Sequence, residues 1–79
     1  MEWEQRITSN PEIMVGKPTI SGTRFTVEFL LGLFADGWTE KEILDNYPRL
    51  SPEDLRAAFA YAAECINDGW VFSLPQANG

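Results

Sequence analysis

The sequence predicts a mainly α fold: three helices in series behind a short N-terminal β-hairpin, with an extended tail after them. Three observations predict it. Thr26, Thr39 and Ser51 each stand where a side-chain oxygen can cap a helix. Apolar residues recur at helical spacing after each of them. The first 26 residues, by contrast, are broken by the turn formers Asn10-Pro11, Gly16-Lys17-Pro18 and Ser21-Gly22.

Between those breaks lie short β-friendly pieces, Gln5 to Thr8, Thr19-Ile20 and Arg24 to Thr26. They suffice for a hairpin-like cap and not for a large sheet. Glu2 and Glu4 fall in a terminus expected to be mobile. Helix one is expected from a Thr26 N-cap to about Ala35. Val27, Leu30, Leu31 and Phe34 give it one apolar face, and Glu28 suits its dipole. Asp36-Gly37 ends it, with Gly37 as a left-handed cap. Thr39-Glu40-Lys41-Glu42 is a capping box that opens helix two. That helix points Ile43 and Leu44 inward and stops before Tyr47-Pro48, since a residue preceding proline avoids helical geometry. Ser51-Pro52-Glu53-Asp54 is the strongest start signal: a cap hydroxyl, proline at the first helical position, and acids in the first turn. Helix three is expected from Pro52 to about Asn67, with a stripe of Leu55, Phe59, Ala62 and Ile66. Residues 1–69 form one domain in this reading, and 70–79 a C-terminal strand or arm.

Helix three is apolar nearly all round, because Ala57, Ala58, Ala60, Tyr61 and Cys65 lie outside its stripe. Such a helix is covered on more than one side. A chain of 79 residues buries only roughly 60% of its unfolded surface. A second subunit is therefore expected, meeting Ala57, Tyr61 and Cys65 together with Trp70 and Phe72 of the tail.

Charge and composition narrow the function. There are 12 acids and 6 bases, net −6, and no histidine. Histidine-dependent triads, imidazole metal sites and the commonest general base are absent. The single Cys65 permits neither an internal disulfide nor a cysteine-based zinc site within one chain. No catalytic acid pair stands out: Glu40 and Glu42 lie on different helix faces, and Glu53 and Asp54 serve a helix N-terminus. Cys65 reads as a small apolar packing group. No cofactor, no metal and no membrane partner are expected, and a cytoplasmic setting suits the lone thiol.

Gly16-Lys17-Pro18-Thr19 has the outline of a phosphate-binding loop, but the glycine needed five positions upstream is Pro11. It is a turn. Arg24 has two readings. It pairs with a carboxylate such as Glu28 or with loop carbonyls, or it joins Arg6 and Lys17 in an anion-binding face. The three helices in series also resemble a helix-turn-helix, in which helix three reads DNA. Residues 1–24 are net neutral and each later segment is net negative, so DNA contact would fall to Arg6, Lys17, Arg24, Arg49 and Arg56.

The string Asn10-Pro11, Gly16-Lys17-Pro18-x-Ile20-x-Gly22-Thr23-Arg24-x-x-Val27, Gly37, Ile43-Leu44, Tyr47-Pro48-x-Leu50 and Leu55-x-Ala57-Ala58-x-x-Tyr61 resembles a widespread prokaryotic family, domain of unknown function 433. The resemblance covers residues 7–64. Its signature is Gly16, Lys17 and Pro18 followed by Gly22, Thr23 and Arg24. Val15 stands where many relatives have a second glycine. The resemblance implies a homeodomain-like helix-turn-helix with an N-terminal β-element. It also implies a VapB-like antitoxin encoded beside a PIN-type ribonuclease toxin. The expectation is thus a non-enzymatic, dimeric antitoxin that binds such a toxin and also its own promoter DNA. The alternative is a homodimeric protein-interaction module that never meets nucleic acid, which the net charge and the acids of helix three favour.

Overall fold

The computed structural model describes residues 2–69. It is mostly helical, with α1 (Val27–Ala35), α2 (Glu40–Asn46) and α3 (Pro52–Asn67), plus a two-stranded antiparallel sheet of β1 (Ile7–Thr8) and β2 (Thr19–Ile20). Ile7 stands opposite Ile20 and Thr8 opposite Thr19. A further bridge from Thr19 to Thr26 brings in the third β-friendly piece. The hairpin joins the helices directly, because the Val27 amide donates to the Pro18 carbonyl at 2.9 Å.

The first strand is shorter than expected. Trp3–Gln5 is one turn of 3-10 helix, and the Arg6 amide donates to the Trp3 carbonyl at 2.8 Å. Nor is this terminus loose. The Trp3 ring meets Tyr61 of α3 edge-on, with centroids 5.0 Å apart, and its indole N–H donates to the Glu64 carboxylate. An indole buries a large apolar area and still needs a partner for its N–H, and α3 supplies both.

All three helices begin where the caps place them. The Thr26 hydroxyl accepts from the Phe29 amide at 2.9 Å. Thr39 and Glu42 close a reciprocal box at 3.1 and 3.0 Å. The backbone amide of Thr39 holds the Glu42 carboxyl below the usual carboxylate range. That part of the stability is present above the ordinary carboxylate value and is lost as pH falls through the lowered one. Ser51 and Asp54 form a second box: the Asp54 amide donates to the Ser51 hydroxyl at 3.2 Å and the Ser51 amide to Asp54 Oδ2 at 3.0 Å. α1 ends as expected at Gly37, whose φ of 95° lets the Trp38 amide reach the Leu33 carbonyl at 3.0 Å.

The core comprises Ile7, Ile20, Val27, Leu30, Leu33, Ile43, Leu50, Leu55, Ala57 and Ala58. Here the helical stripes shift. On α1 the buried row is Val27, Leu30 and Leu33, with Leu31 and Phe34 on its flanks. On α3 the buried residues are Asp54, Leu55, Ala57 and Ala58, whereas Phe59 and Ile66 are 48% and 58% exposed. The expected stripe through Phe59 and Ile66 is thus wrong. Ala57 and Ala58 join the core cluster, while Phe59 lies at its edge with its ring centroid 4.9 Å from that of Phe34 on α1.

Asp54 ties the hairpin to this core. While Oδ2 closes its own helix, Oδ1 receives Arg6 Nη1 at 3.0 Å, and the carboxylate is only 12% exposed. Replacing Asp54 with Ala removes the carboxylate half of the box and the partner of Arg6, whose own side chain is 42% exposed, so Asp54→Ala should lower unfolding free energy by about 2 kcal/mol. Chemical denaturation measures it. The opposite sign is expected at Val15. There φ is 57° at a β-branched side chain that is 92% exposed, so nothing it touches offsets the left-handed strain. Val15→Gly should raise stability by about 1 kcal/mol in the same measurement, the extra freedom of unfolded glycine cancelling part of the relief.

Candidate functional site

The Gly-Thr-Arg signature is a tight turn. The Thr23 amide donates to the Ile20 carbonyl at 3.0 Å, with Gly22 at φ 77° in the third position. That position of the turn requires positive φ. A Cβ on Gly22 would meet nothing within 4 Å, so backbone conformation alone asks for glycine. The Thr23 hydroxyl donates to the Ile20 carbonyl at 2.8 Å and accepts from the Phe25 amide at 3.1 Å. Arg49, from the corner between α2 and α3, braces the turn from outside: its Nη2 donates to the Gly22 carbonyl at 3.2 Å. Arg24 leaves this turn into a cleft of ≈ 560 Å³ lined by Ile13, Gly22, Thr23, Phe25 and Arg49.

The Gly-Lys-Pro half of the signature is structural in a similar way. Gly16 has φ 79° and accepts from the Ser9 hydroxyl through its carbonyl, while Pro18 presents its carbonyl to α1. Lys17 Nζ meets Glu28 Oε1 at 2.9 Å. Arg24 therefore does not pair with Glu28, one of the two partners the sequence suggested; the Lys17 ammonium takes that carboxylate. The other reading, an anion-binding face of Arg6, Lys17 and Arg24, is altered too. Arg6 and Lys17 each hold a carboxylate of this chain, and Arg24 is grouped instead with Arg49. Arg56 lies exposed on α3.

A second cavity, also ≈ 560 Å³, runs between α1 and α3. Its floor is apolar: Val27 and Leu31 from α1, and Tyr61, Ala62, Cys65 and Ile66 from α3. The Lys17–Glu28 pair stands at its rim. Burial, followed by the nearby Cys65 thiol, pushes the Tyr61 phenol above its ordinary value, so the hydroxyl stays neutral at physiological pH. Of the expected partner contacts, Tyr61 and Cys65 do line this groove. Ala57 does not: it is 0% exposed, sealed against the chain's own core, and no partner can reach it. Trp70 and Phe72 lie outside the described residues.

Sequence reasoning missed Trp3 and Glu64, which line a smaller recess beside Tyr61 and Cys65. The one available signal was a tryptophan placed in an otherwise acidic, polar terminus. Among the described residues no group of three or more His, Cys, Asp or Glu gathers closely enough to hold a metal ion. None of their helices is long and apolar enough to cross a membrane.

Known proteins resemble this arrangement. A solved crystal structure of a DUF433 member protein from Anabaena variabilis ATCC 29413 superposes with a TM-score of 0.74 at 35% identity, covering 80% of this chain and 62% of that one. The uncharacterized protein y4eO of Sinorhizobium fredii (strain NBRC 101917 / NGR234) is 36% identical over 56 residues, 71% of this chain. The chain spans only 25% of that curated relative's length. The family model described as protein of unknown function (DUF433) matches residues 7–62, from the first strand of the hairpin into α3. That span takes in the Gly-Lys-Pro and Gly-Thr-Arg turns and the capped starts of all three helices, and by it the chain belongs to the DUF433 family.

Proposed function

We propose that the protein is a non-enzymatic binding module whose partner is another protein, and that this partner is a PIN-type ribonuclease toxin for which the chain serves as antitoxin. The toxin's class comes from the family resemblance, as does the view of α2 and α3 as a homeodomain-like helix-turn-helix. The observation that carries a protein partner is the groove between α1 and α3. Two helices form its walls, its floor is aliphatic and aromatic, and Ile66 at one end is 58% exposed. Such a trough suits the apolar face of one amphipathic helix, here assigned to the toxin. Filling it would remove from water apolar surface that a monomer of this size leaves open.

Charge placement supports the same choice. Arg6 and Lys17 are engaged by Asp54 and Glu28, and α3 opens with exposed Glu53 where a reading helix would approach phosphates. One observation favours a second reading, operator DNA: Arg24, Arg49 and Arg56 meet no carboxylate among the described residues. The homodimeric module without nucleic acid would use the same groove, each copy covering the other's.

Co-expression with a PIN-type ribonuclease from the same genome tests the proposal. Growth rescue and co-purification are expected, with both lost in Ile66→Asp, a change at an exposed side chain that leaves the core intact. Failure of the unmutated chain to co-purify would end the antitoxin reading. Sedimentation of the chain alone separates the dimer, which predicts a mass that rises with concentration and falls back in the same variant. Operator binding predicts affinity for upstream DNA that falls steeply with salt and weakens in Arg56→Ala.

A further inference from the structure

Six cations divide into two sets. Arg6, Lys17 and Lys41 each lie 2.7–3.0 Å from a carboxylate of this chain. Arg24, Arg49 and Arg56 meet none among the described residues, although the molecule carries 12 acids. Arg24 and Arg49 share a cleft instead, and none of its other lining residues is acidic. We propose that this cleft is a second contact point for a protein partner, built to take a carboxylate from an acidic, partly apolar peptide segment. The inference rests on reading the chain as a protein-binding module, but it uses a different surface: the cleft and the α1–α3 groove share no lining residue.

The geometry supplies what such a ligand needs. Arg49 is held in place by its bond to the Gly22 carbonyl, so part of its rotamer freedom is already lost before anything binds. The rest of its planar fork, and all of Arg24's, carries donors suited to a carboxylate. Ile13 and Phe25 give the cleft apolar walls, against which an aliphatic neighbour of the carboxylate can pack and exclude water. Phe25 continues into an aromatic array, with Tyr47 at 5.3 Å and Phe29 at 6.3 Å between centroids, and Phe29 is 42% exposed. Arginine beside exposed aromatics is the composition of interface hot spots. A peptide also suits the net charge of −6 better than a nucleic acid does. One or two carboxylates meet only the local site, whereas a phosphate chain brings its whole charge against an acidic body.

The test titrates the full chain, followed by amide chemical shifts, with three probes. These are a capped pentapeptide of alternating leucine and aspartate, its asparagine counterpart, and a short DNA duplex. The aspartate peptide should shift the amides of Gly22, Thr23, Arg24 and Phe25, and the asparagine peptide should bind about tenfold more weakly. Arg24→Gln should weaken the aspartate peptide by about tenfold, whereas Arg56→Gln should leave it unchanged. Arg24 is the deciding position because its side chain is exposed and braces nothing, unlike Arg49. Equal binding of the two peptides, shifts confined to other amides, or a DNA duplex that displaces the aspartate peptide and itself fails in Arg24→Gln would overturn the proposal. No toxin is present in this titration. Normal peptide binding with failed co-purification would therefore remove only the antitoxin reading, and the reverse result would remove only this one.

Discussion

One carboxylate organises the molecule. Asp54 closes the first turn of α3 with one oxygen and holds Arg6 of the hairpin with the other. Those residues are 48 apart in the chain. A domain below about 80 residues has little stability to spare, so an ionic contact with a nearly buried carboxylate matters in it. With the hairpin seated on α3, Pro18 meets the first amide of α1, and α1 then packs on α3 with Phe34 against Phe59. Both candidate surfaces follow from that placement. The groove lies between α1 and α3, and the arginine cleft exists because the Gly-Thr-Arg turn is carried to the corner before α3.

The helix starts were legible in the sequence because their causes are local. Thr26 with Phe29, Thr39 with Glu42, and Ser51 with Asp54 each make bonds within three residues, and a reader of the sequence sees both partners at once. The buried face of α3 was not legible. When Ala57, Ala58, Phe59, Tyr61 and Ala62 are all apolar, spacing cannot say which row turns inward; the tertiary packing decides, burying Ala57 and Ala58 and leaving Phe59 at the edge against Phe34. The seat of Trp3 was hidden for a different reason: its partners Tyr61 and Glu64 lie far along the chain, where no periodicity reaches.

The candidate site was half legible. All five cations named from the sequence are on the surface or near it, but their grouping depends on which carboxylate each one reaches first. Lys17 takes Glu28 and Arg6 takes Asp54, which leaves Arg24 for the company of Arg49. The family signature then separates into two kinds of residue. Gly16, Pro18, Gly22 and Thr23 shape the hairpin and dock it, and Arg24 is the member whose side chain is offered outward.

The open space around Gly22 has a consequence for how tightly evolution is bound there. Nothing crowds that position, yet an ordinary side chain is still disfavoured, because the demand is for chirality and not for size. A mirror-image alanine would satisfy that demand better than glycine does, keeping the turn while trimming the disorder of the free chain. Ribosomal synthesis offers no such residue, so the achiral compromise persists; a polypeptide this short is within reach of total chemical synthesis, which is not so constrained.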